Sequence, residues 1–94
     1  GGGDFTLCRS NKTSLIAVLA DVMGHGQDAK FFAYAYAGYL RSLMNSYGGD
    51  TDPAHFLARV SLAVNADSFL DSTIMTCISF LLQTGGQVTL ASAG

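Results

Sequence analysis

The sequence is short of charge. Of its 94 residues 13% are charged, with Lys+Arg 5 against Asp+Glu 7 and a formal balance of −2. The basic residues Arg9, Lys12, Lys30, Arg41 and Arg59 are scattered. No cationic stripe is there to neutralise phosphates, so nucleic acid is not an expected partner. Cysteine is scarce as well. Cys8 and Cys77 lie in apolar runs with neither CxxC nor Cys/His spacing, which signals no disulfide framework and no structural zinc, and a reduced cytoplasmic setting is expected. Long apolar runs are missing: Leu15 to Ala20 stops at Asp21, far short of the ~20 residues of a membrane span, so no membrane partner is expected. No initiator Met or signal peptide opens the chain, which starts Gly1-Gly2-Gly3 and ends at Gly94 behind a strand-like run. It is therefore expected to be a piece of something longer. Apolar residues are plentiful, at 49%, which excludes disorder and fits a single globular domain.

Phe5 to Arg9 reads as a short strand, and Ser10-Asn11-Lys12-Thr13 as a polar turn into a second strand, Ser14 to Met23. The second is nearly continuous apolar, as suits burial on both faces. After Gly24-His25-Gly26 the period changes. From Ala29, Phe32, Tyr36, Tyr39, Leu40, Leu43 and Tyr47 recur at three- and four-residue spacing, the apolar stripe of a helix that Gly48-Gly49 ends. The single proline, Pro53, sits behind Asp52 in a strong helix start, with Asp52 as N-cap and Phe56, Leu57, Val60 and Val64 as the buried face. Fraying is expected near Asn65 to Ser68. Ile74 to Leu82 and Val88 to Ala91 read as strands joined by the turn Thr84-Gly85-Gly86-Gln87. The order ββααββ predicts an α+β fold, an antiparallel sheet with two helices on one face.

Two aspartates stand at strand ends beside glycines, in Gly2-Gly3-Asp4-Phe5 and in Asp21-Val22-Met23-Gly24-His25-Gly26. If those strands form a hairpin, Asp4 and Asp21 come together. Neighbouring carboxylates repel, and a hard divalent cation such as Mg²⁺ or Mn²⁺ relieves that repulsion with carboxylate, carbonyl and water oxygens as ligands. Each aspartate alone fits a turn or cap better; two ends meeting beside glycines favour a site. His25 reads as a turn residue and His55 as a solvated helix position; Asp28, Asp50, Asp67 and Asp71 read as first-turn or loop acids, and Cys77 and Met75 as core. Gly24-His25-Gly26-Gln27-Asp28-Ala29 also matches G-x-G-x-x-A, the dinucleotide fingerprint. That is the weaker alternative, because no parallel strand follows the helix to carry a ribose-binding acid.

These residues resemble the PPM (type 2C) metal-dependent serine/threonine phosphatases, in their bacterial SpoIIE-like branch. The resemblance rests on Gly2-Gly3-Asp4-Phe5, on Asp21 to Gly26 with Ala29 following, on Asn65, on Thr76 and on Ala91-Ser92-Ala93-Gly94. It implies that residues 1–94 are the N-terminal half of the domain, half of an α-β-β-α sandwich, and a two-metal hydrolase of phosphoserine or phosphothreonine using Mn²⁺ or Mg²⁺. Asp4 matches a metal-ligand aspartate, Asp21 the aspartate that bridges both metals, Val22 the residue lending its backbone carbonyl, and Gly24 and Gly26 the loop-shaping glycines; Asn65 and Thr76 match positions read as structural. The family's following His and its later Thr-Asp-Gly motif do not occur, and Thr6 and Leu7 stand where Tyr or Asp is common. The implied substrate is a phosphorylated protein such as an anti-sigma-factor antagonist. Little activity is expected of these residues alone. The alternative class is a non-catalytic binding module of the same fold, and the uncovered sheet makes a homo-oligomer an expected partner state.

Overall fold

The computed structural model describes residues 3–24, 29–47, 52–71 and 73–93. Strands β1 (Asp4–Ser10) and β2 (Ser14–Gly24) pair antiparallel across a turn that Asn11 builds. Its side-chain carbonyl accepts from the N–H groups of Thr13 (2.8 Å) and Ser14 (2.9 Å), mimicking a backbone turn. Helices α1 (Ala29–Tyr47) and α2 (Pro53–Asn65) follow. Asp52 caps α2, its carboxylate accepting from the N–H of His55 at 3.2 Å, with Pro53 at the first turn. Where fraying was expected, the chain instead makes a 3-10 turn, Ser68–Leu70. Asp67 caps that turn through the N–H of Phe69 (3.0 Å) and accepts the hydroxyl of Tyr39, a bond that raises the phenol above its ordinary value of 10.0.

Strands β3 (Thr73–Gln83) and β4 (Val88–Ala93) close the chain. Gly85 (φ 102°) and Gly86 (φ 89°) take left-handed conformations in their turn, which side chains rarely adopt. The sheet order is β1-β2-β3-β4, every pairing antiparallel, so both helices lie in the crossover between the two central strands. The α+β fold expected from the pattern is the fold observed. The helix stop at Gly48-Gly49 falls outside the described residues.

One face of the sheet carries the core. Ile16, Val18 and Ala20 of β2 with Cys77 and Leu81 of β3 pack against Leu40 and Met44 of α1 and Phe56, Leu57 and Val60 of α2. At the end of β2, Val22 joins Phe32, Ala33, Tyr36 and Leu70. Two hydroxyls tie this end together: Thr73 donates to the carbonyl of Leu70 (2.7 Å) and accepts from Tyr36 (2.7 Å). Burial pushes the Cys77 thiol up from its ordinary value of 9.0. Ser79 is fully buried with its Oγ unpartnered. The other face is bare among the described residues: Leu19, Met23, Ile74, Ile78, Leu82, Val88 and Leu90 are all exposed. None of the described helices is long and apolar enough to cross a membrane.

Candidate functional site

Asp4 and Asp21 are direct cross-strand partners on the bare face. Val22 donates its N–H to the carbonyl of Gly3 at 3.2 Å. In an antiparallel ladder that makes the next pair, Asp4 and Asp21, the closer, non-hydrogen-bonded kind, whose opposed Cβ atoms stand roughly 4.5–5.5 Å apart. Like charges in such a pair destabilise a sheet, so strand stability does not explain them. The cost is visible in Asp21. A side-chain hydrogen bond with Asp4, loss of hydration and the charge of Asp4 together raise its carboxyl above the ordinary 3.8.

Gly3 permits this corner. A Cβ at position 3 would stand 2.1 Å from the carbonyl oxygen of Val22 and 3.2 Å from the Cβ of Ala29, so a side chain there collides with fixed backbone. Val22 buries its side chain in the core and leaves only its carbonyl beside Gly3, next along the strand from Asp21. Gly24 ends β2 opposite Thr73. Gly26, His25 and Asp28, and with them most of the G-x-G-x-x-A stretch, lie outside the described residues. The all-antiparallel pairing gives the dinucleotide alternative no parallel strand among the described residues.

Thr76, expected to be structural, faces Asp21 directly across β2 and β3. The row Asp4, Asp21, Thr76 and the neighbouring Leu19, Ile78 and Ser92 line an open groove of about 640 Å³. The position of Thr76 opposite Asp21 is set across a helical excursion that no local spacing encodes. Asn65 stays at the exposed end of α2, bonded to Ser61 Oγ at 3.3 Å. Among the described residues no group of three or more His, Cys, Asp or Glu side chains converges. The Asp4 and Asp21 carboxylates are oxygen groups of the kind hard divalent cations prefer.

A family model described as stage II sporulation protein E (SpoIIE) matches residues 11–94. The matched span includes Asp21, Val22, Gly24 and Gly26 and begins after Gly3 and Asp4. No curated protein matches the chain.

Proposed function

This chain belongs to the SpoIIE family, and on that footing we propose that its phosphatase-related domain is the carboxylate-bearing part of a metal-dependent phosphatase acting on phosphoserine or phosphothreonine in proteins. The carrying observation is the register that sets Asp4 against Asp21. A hydrogen bond with Asp4, lost hydration and the like charge of Asp4 raise the carboxyl of Asp21, and a cation between the two carboxylates would relieve their repulsion. Asp4, Asp21 and the carbonyl of Val22 are the residues to hold Mn²⁺ or Mg²⁺. Such an ion, when bound, activates water at neutral pH and offsets charge on phosphoryl oxygens.

The rest belongs to the chain. Asp4 and Asp21 define the negative corner, and Gly3, lacking a side chain, lets β1 pass close to the Val22 carbonyl beside it. The groove they open into is bare enough to admit a phosphorylated side chain, and the hydroxyls of Thr76 and Ser92 line it. By the family's resemblance the substrate is an anti-sigma-factor antagonist or a similar regulator in a bacterial signalling pathway. Three oxygen donors leave most of an ion's shell to water, so we expect weak binding and little turnover. The test is Mn²⁺-dependent hydrolysis of a small aryl phosphate. Slow turnover abolished by Asp21→Asn supports the reading; turnover indifferent to Asp21→Asn removes the carboxylate pair from the chemistry.

The bare face favours a second reading, a non-catalytic binding module that self-associates there: Leu19 is 48% exposed, Ile78 49% and Leu90 66%. Mn²⁺ calorimetry separates the two, because a module binds no ion or binds it equally after Asp21→Asn.

A further inference from the structure

Strand β1 is the outer strand of the described sheet and pairs with β2 alone. Since Gly3 bonds inward to Val22, the alternation of an antiparallel ladder turns Phe5, Leu7 and Arg9 inward as well. Asp4, Thr6 and Cys8 then turn their backbone N–H and C=O groups to the outer edge. An open edge of this kind is a template for one more strand.

Helix α1 flanks that edge. Lys30, Ala33, Tyr34, Ala37 and Arg41, one stripe at helical spacing, line a groove of about 280 Å³ together with Asp4 to Leu7. The close approach of Gly3 to Ala29 at one end, and the bond from the Arg9 guanidinium to Asn45 at the other, show that α1 and β1 run side by side in the same direction. Lys30 to Arg41 rises ~16 Å along the helix, and Asp4 to Arg9 covers about 16 Å of strand. Five extended residues match that length. Both charges on the helix wall are positive, in a chain whose net charge is −2.

We propose that this groove takes an extended acidic peptide as a fifth strand on β1, and that this peptide is the segment around the phosphorylated residue of the substrate. Side chains of an added strand alternate between the two faces of the sheet. One set meets Lys30, Tyr34 and Arg41 on the helix side. The other lies on the bare face, one strand spacing of about 4.8 Å from Asp4. A phosphoserine in the second set, with acidic residues at alternate positions in the first, therefore reaches the carboxylate corner while its neighbours meet the cations. Strand addition supplies affinity through main-chain bonds, and the alternate side chains supply selectivity. The placement of the phosphate rests on the phosphatase reading; the groove itself does not.

The test uses fluorescence anisotropy in metal-free buffer with a fluorescein-labelled peptide, Glu-Ser-Glu-Thr-Glu. Saturable binding is expected, weakened roughly tenfold or more when alternate peptide nitrogens are N-methylated or when the three Glu are replaced by Lys. These arms use the unaltered protein. The double variant Lys30→Glu, Arg41→Glu, checked for folding by circular dichroism, is expected to lose binding to a similar degree, while Lys12→Glu in the β1–β2 turn leaves it unchanged. Equal binding of methylated peptides in both N-methyl registers, or of the lysine peptide, overturns the proposal, as does no saturable binding. The phosphoserine version is then assayed with Mn²⁺ for phosphate release. Peptide binding without release contradicts the phosphatase reading and leaves the groove standing; release without edge-dependent binding does the reverse.

Discussion

The two faces of this sheet are made from the same strands and differ in what they face. On the helix side β2 contributes Ile16, Val18, Ala20 and Val22, and all are buried; on the other side Leu19, Asp21 and Met23 are exposed, while the small Ala17 is covered. Period-two alternation assigns the faces, and side-chain size decides the exception. The continuous apolar run of β2 pointed to burial on both faces, and the described residues cover one. The covered face spends its composition on packing and tolerates the unpartnered hydroxyl of Ser79. The bare face tolerates a like-charge pair that packing would never select. Packing resides on one side of the sheet and the carboxylate pair on the other.

Substitutions on matched positions sharpen that contrast. The largest effect is expected at Phe56, fully buried between helix and sheet. Phe56→Ala leaves a cavity and should cost about 3–5 kcal/mol in a denaturant titration, most of the stability of so short a chain. Gly3→Ala comes next. Its methyl group meets the Val22 carbonyl, so β1 and β2 must part at the corner, with an expected loss of about 1–3 kcal/mol and a weakened response to Mn²⁺. Ser79→Ala has the opposite sign. Removing a buried, unbonded hydroxyl should stabilise the chain by about 1 kcal/mol. The smallest effect is expected one residue away on the other face: Ile78→Lys in dilute solution should stay within about 0.5 kcal/mol of the parent. A large loss there would mean that the bare face is covered in solution.

Much of this was legible in the residues. The Asp52-Pro53 start, the Phe56, Leu57, Val60 stripe and the paired-glycine turn are local signals, each fixed within a few positions, and each appears where its chemistry puts it. The opposition of Asp4 and Asp21 was legible too, because a tight turn fixes hairpin register. Thr76 was not. Its place beside Asp21 depends on β2 and β3 pairing across two helices, a tertiary outcome of packing Phe56 and Leu40 beneath the sheet. Asp67 looked like an idle loop acid, and its partner Tyr39 lies on another element, too distant in sequence for spacing to reveal.

The pair Asp4 and Asp21 carries the account, and its strain has a sign that can be measured. Asp21 holds its proton more firmly in the folded chain than the ordinary 3.8 of an unfolded one. The stability this contributes is complete below 3.8 and is lost as the pH rises through the raised folded value. Thermal unfolding of the wild type and Asp21→Asn from about pH 4 to about pH 8, with and without Mn²⁺, reads both halves of the claim. We predict that without the ion the wild type loses stability relative to Asp21→Asn as the pH rises, and that Mn²⁺ restores it in the wild type alone. An unchanged wild-type curve on adding Mn²⁺, or an equal gain in Asp21→Asn, would contradict it.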